Sequence, residues 1–70
     1  MWVVTYSINQ EIVNTAEITD WTVDQMIDLF KKIGYEVDDY SSMPEWNRYF
    51  LHKYIDGEGM AQITIEEEED

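Results

Sequence analysis

The chain predicts an α+β domain of order β-β-α-α-β, a three-stranded, mainly antiparallel sheet with two helices packed on one face. Three patterns predict it. Apolar residues alternate near both ends of the 70-residue chain, recur at three- and four-residue spacing in its middle, and two capping-box spacings open the middle segments.

Trp2, Val4, Tyr6 and Ile8 alternate with Val3, Thr5 and Ser7, the period of a strand with one buried face. A second strand is expected at about Ile12 to Ile18. A three-residue loop of Asn9, Gln10 and Glu11 pairs Ile8 with Ile12, Tyr6 with Asn14, Val4 with Ala16 and Trp2 with Ile18, which keeps one face mostly apolar. A two-residue loop instead sets Trp2 against Glu17, so the longer loop is preferred.

Thr22 and Gln25 have capping-box spacing, and Val23, Met26, Ile27, Phe30 and Ile33 follow at helical intervals until Gly34 ends the helix. Tyr35 to Asp39 reads as a short extended or irregular stretch. Ser42 and Glu45, with Pro44 between them, predict a second helix to about Tyr54, its inner face lined by Met43, Trp46, Phe50 and Tyr54. Asp56, Gly57, Glu58 and Gly59 lack the twelve-residue ligand spacing of a calcium loop and read as a hairpin turn. Ala61, Ile63 and Ile65 then mark a last strand. Residues 1–65 form the expected single domain, and Glu66, Glu67, Glu68, Glu69 and Asp70 an acidic tail.

Composition limits the function. Seventy residues leave little room for a walled catalytic cleft. Without cysteine there are no disulfides, thiolate metal sites or thiol chemistry. No apolar run reaches membrane-spanning length, the first residues lack a signal peptide's pattern, and cytoplasm is the expected compartment. An apolar content of 44% with ten aromatics argues for a folded core in spite of the charge. His52, expected on the outer or boundary face of the second helix, has no nucleophile in a recognisable setting, and no phosphate loop or zinc spacing occurs. The chain is expected to be no enzyme and to hold no metal or cofactor.

The charge is the chain's distinguishing feature. Sixteen carboxylates against four Lys plus Arg give a net −12, beyond the ~2–8 in magnitude that serves solubility in a small domain, although a halophilic surface is also acidic. The first expected helix sums to zero, the second to +1, and the remaining segments to −13. Such a chain is repelled by nucleic acid and by anionic lipid. A basic protein surface is the expected partner. The candidate partner-binding residues are Asp20, Asp24 and Asp28, four apart on a helical face; Glu36, Asp38, Asp39 and Tyr40; Asp56 and Glu58; and Glu66 to Asp70. Trp21, Tyr35, Tyr40 and Tyr49 exceed what the inner faces need and are of the types that anchor interfaces.

These features predict a small acidic inhibitor, of the kind a phage or mobile element carries, that fills the nucleic-acid groove of a host enzyme by mimicry or occlusion. CRISPR effector nucleases, restriction enzymes and repair enzymes have such grooves. The alternative is an adaptor or homodimer whose charge serves solubility.

Overall fold

The structure, a computed structural model, describes residues 1–68. Its elements are β1 (Trp2–Ile8), β2 (Glu11–Ile18), α1 (Val23–Lys32), β3 (Glu36–Val37), a 3-10 turn (Pro44–Trp46), β4 (Arg48–Ile55) and β5 (Gly59–Glu67). The strands form one five-stranded antiparallel sheet of order β2-β1-β5-β4-β3. The expected three-stranded sheet with two helices is therefore incorrect. The sheet has five strands, and α1 is the one α-helix among the described residues.

The first helix forms as its local chemistry dictates. The Thr22 hydroxyl accepts from the Gln25 backbone N–H at 3.2 Å, and the Gln25 side chain accepts from the Thr22 N–H at 2.9 Å, completing a capping box. At the other end Gly34 adopts φ +104°. Its N–H donates to the Lys31 carbonyl at 3.1 Å while Tyr35 N–H reaches back to the Phe30 carbonyl at 2.9 Å. This is a Schellman closure, completed by edge-on contact of the Phe30 and Tyr35 rings at 5.7 Å.

The second expected helix is a turn and a strand. Its capping spacing fails because the Ser42 hydroxyl is already engaged, donating to the Asp38 carbonyl at 2.7 Å and accepting from the Phe50 N–H at 3.0 Å. Pro44–Trp46 makes a single 3-10 turn without a side-chain cap, and Asn47, at φ 52°, turns the chain into β4. Tyr49, Leu51 and Ile55 then alternate toward the core, but Lys53 interrupts that row and hides its period of two. The aromatic and β-branched content of RYFLHKYI suits a pleated surface. Trp46 and Tyr54, expected inside, are 71% and 69% exposed.

The first hairpin reconciles two competing registers. Trp2 pairs with Ile18, Val4 with Ala16 and Tyr6 with Asn14, as the apolar pattern requires, whereas Ile8 pairs with Glu11 and not with Ile12. The loop is two residues, Asn9 and Gln10, both at positive φ. That left-handed pair matches the twist of the flanking strands. The resulting one-residue mismatch is absorbed by a bulge that leaves Val13 unpaired.

Leu51, Ala61, Ile63 and Ile65 are buried at the sheet centre with Met26 of α1 and Tyr35 behind them. Trp2, Val4, Tyr6, Ile27, Phe30 and Tyr49 surround that cluster. Strand β5 continues through Glu67, so Glu66 and Glu67 lie in the sheet opposite Val3 and Trp2. The Asp56–Glu58 turn joins β4 to β5, and Asn9 ties it to the first hairpin. The Asn9 carboxamide donates to the Glu58 carbonyl at 2.9 Å and accepts from the Met60 N–H at 3.1 Å. Gly59 lies at φ +108° where a Cβ would run into that carboxamide.

Leu51→Ala is expected to cost about 2–5 kcal/mol in urea unfolding, as for any large-to-small change at a fully buried site. Asn9→Ala is expected to cost about 1–2 kcal/mol through two lost hydrogen bonds. Hydrogen exchange of that variant should accelerate in both hairpin turns together, since one side chain joins them.

Candidate interaction surface

The fold redistributes the charges. Two of the four cations lie on β4, not on a helix. Arg48 pairs across the ladder with Glu66, its guanidinium 3.4 Å from the carboxylate. Lys53 points into the core side, where its ammonium donates to the Ile33 carbonyl at 2.7 Å and sits 5.8 Å from the centre of the Tyr35 ring. It thereby serves the C-terminal end of α1, where free carbonyls and the helix dipole favour a cation. The remaining cations, Lys31 and Lys32, close the same helix.

Of the fourteen carboxylates among the described residues, only Glu66 is within ion-pair distance of an Arg or Lys. Glu36 stands beside His52, an Oε2 to Nε2 distance of 3.6 Å across β3 and β4. His52 thus belongs to a strand and not to a helix. Asp28 and Lys32, four apart on α1, make no ion pair.

The candidate residues separate into distinct places. Asp24 and Asp28 lie on α1, exposed, but Asp20 precedes the Thr22 cap and is not part of a helical row. Glu36, Asp38, Asp39 and Tyr40 follow one another off the far edge of the sheet, with Tyr40 wholly exposed. Asp56 and Glu58 occupy the β4–β5 turn, Glu66 and Glu67 end β5, and Glu68 follows it, its N–H donating to the Met1 carbonyl at 2.9 Å. Glu69 and Asp70 lie outside the described residues. Of the four aromatics noted for their type, Tyr35 is buried and Tyr49 packs beside Trp2 in the core rim, whereas Trp21 and Tyr40 remain exposed.

Asp38 has a structural duty of its own. One of its carboxylate oxygens accepts the backbone N–H groups of Tyr40 at 3.1 Å and Ser41 at 3.2 Å, shaping the turn after β3. Those bonds, Ser41 foremost, hold its pKa below the ordinary 3.8.

Sequence reasoning missed an apolar groove between the sheet and α1. Val4, Ala16 and Ile18 line it together with Trp21, Met26, Leu29 and Phe30, and its volume is about 390 Å³. Trp21 and Leu29 stay nearly half exposed at 45% and 44%. The available signal was length, since a ten-residue helix spans only about 15 Å and leaves part of a five-stranded sheet uncovered.

The described residues carry a formal −10 over a longest dimension of 38 Å, about one charge per 4 Å. Each strand of a DNA duplex carries about one per 3.4 Å of helix axis, and the two together about one per 1.7 Å. No helix among the described residues is long and apolar enough to cross a membrane. Fold and surface together define the class: a five-stranded antiparallel sheet with one helix on its inner face and an uncompensated acidic exterior. The chain matches no protein-family model, no curated protein and no solved structure.

Because the folded pKa of Asp38 is lowered, its contribution to the turn is present above the unfolded value and is lost as pH falls through the folded one. The Tyr40 and Ser41 amide shifts, followed by NMR, should accordingly titrate together with a midpoint below that of free aspartate. Asp38→Ala should abolish that shared transition and broaden the 38–42 segment.

Proposed function

We propose that this protein is a small acidic binding protein that occupies the basic nucleic-acid-binding surface of another protein and occludes it. The observation that carries this reading is the uncompensated exterior: one carboxylate among fourteen described ones has an Arg or Lys partner. A groove lined to neutralise phosphates accepts an array of carboxylates in their place, and release of condensed ions favours the exchange. The linear charge density, close to that of one strand, supports the same partner. Inhibition by such a protein is competition, with no bond made or broken.

A second reading, an adaptor or assembly module, is favoured by the apolar groove and the exposed strand beside it. The two differ in their response to salt and to nucleic acid. Affinity capture from lysate, with nuclease added, supplies the partner for measurement. Occlusion predicts that affinity falls by about tenfold or more between ~50 and ~200 mM salt and that duplex or single-stranded DNA displaces the protein. Glu36→Lys with Asp39→Lys should weaken binding several-fold, while Asp38, which shapes the turn, is left in place. Binding that ignores salt and coexists with DNA would assign the protein to the adaptor class.

A further inference from the structure

Strand β2 is an edge of the sheet, its Thr15 N–H held by the neighbouring Asn14 Oδ1 at 2.9 Å, a local bond that an added strand would replace. It is eight residues long, exposed at seven of them, and has β1 on one side and, among the described residues, no strand on the other. Edge strands are normally blunted by lysine, proline, short length or a bulge. This one has no lysine or proline, and its bulge at Val13 lies near the hairpin end, with Ile12 and Val13 70% and 59% exposed. From Asn14 to Ile18 the pairing with β1 is regular. That stretch borders the groove directly, because Ala16 and Ile18 belong to both.

Charge indicates what could add to this edge. Residues 1–30, which supply β1, β2 and the groove, contain no Lys, Arg or His and five carboxylates: Glu11, Glu17, Asp20, Asp24 and Asp28. A second copy would bring the same five negative charges to the junction. An extended segment rich in Lys and Arg would find every one of them unopposed.

We propose that β2 receives an extended basic segment of the partner protein as a sixth strand. Main-chain hydrogen bonds form along Asn14–Ile18, alternate apolar side chains enter the groove between Ala16, Ile18, Trp21 and Leu29, and the remaining Lys or Arg side chains meet Glu17 and Asp20. Backbone pairing supplies affinity, and the groove selects the side chains that point into it. The inference rests on the reading that the partner is a basic protein, and it adds where and how that partner is held.

The test uses a fluorescein-labelled peptide of about ten residues, a usual strand length, with Lys and Val alternating. A second peptide has the same side chains but an N-methyl group on every backbone amide, so that neither edge can donate, and a third has Glu in place of Lys. Anisotropy titrations should show binding of the first, at least tenfold weaker binding of the N-methylated one and none of the acidic one. Hydrogen exchange should slow at Asn14–Ile18. Equal binding of the N-methylated peptide, or protection confined to β3 and the turn after it, overturns strand addition and leaves groove occlusion standing. Failure of DNA to compete for the captured partner, with the peptide result intact, overturns occlusion and sustains strand addition. A dimer in sedimentation velocity that the peptide does not dissociate, but that Thr15→Pro does, overturns the inference in favour of self-pairing.

Discussion

The rest of the structure depends on β5 lying between β1 and β4. Ile63 and Ile65 face Tyr6 and Val4 on one side and Leu51 and Tyr49 on the other, so one strand organises the core of both hairpins. Helix α1 adds Met26 to that core without reaching across the whole sheet. A sheet of five strands under a helix of ten residues has to leave apolar surface open, and it does so on the β2 side. The apolar groove is thus a geometric consequence of how the core is closed.

The same constraint decides where the cations go. Lys53 falls in the inward row of β4, where an ammonium is costly unless it reaches a partner, and the end of α1 offers the Ile33 carbonyl and the Tyr35 ring. Arg48 falls in the outward row and meets Glu66. With these two engaged within the fold and Lys31 and Lys32 at the helix end, little positive charge is left to neutralise the exterior. Mutual repulsion of that exterior destabilises the compact state, and binding to a basic partner would relieve it. On the reading proposed above, excess charge attracts a basic segment and the open β2 edge gives its backbone a place to pair, while Glu36 and Asp39 stand off the opposite edge of the sheet.

Reading residues 43–54 as a helix went wrong for a definable reason. Met43, Trp46, Phe50 and Tyr54 have helical spacing, and Ser42, Pro44 and Glu45 resemble a helix start. Every one of those signals is local. The pairing of Tyr49 with Ile65 and of Leu51 with Ile63 joins residues more than ten positions apart and leaves no mark at short spacing beyond an alternation that Lys53 interrupts. The candidate carboxylates could be read directly, since charge is written in the residue types. Their grouping could not: Asp20 drops out of the helical row, and Glu36 acquires His52 as a neighbour only through the β3–β4 ladder.

The sequence by itself determined α1 and both of its caps, the alternation of β1, the inward pairs Trp2–Ile18, Val4–Ala16 and Tyr6–Asn14, and the acidic excess. These rest on contacts within a few residues, or on the antiparallel symmetry of one hairpin. Tertiary structure alone decided that 48–55 is a strand, that a bulge at Val13 accommodates the two-residue turn, and that β2 ends as an open edge beside an apolar groove. Those outcomes follow from competition among distant segments for places beside β5, and that competition is settled only when the whole sheet closes.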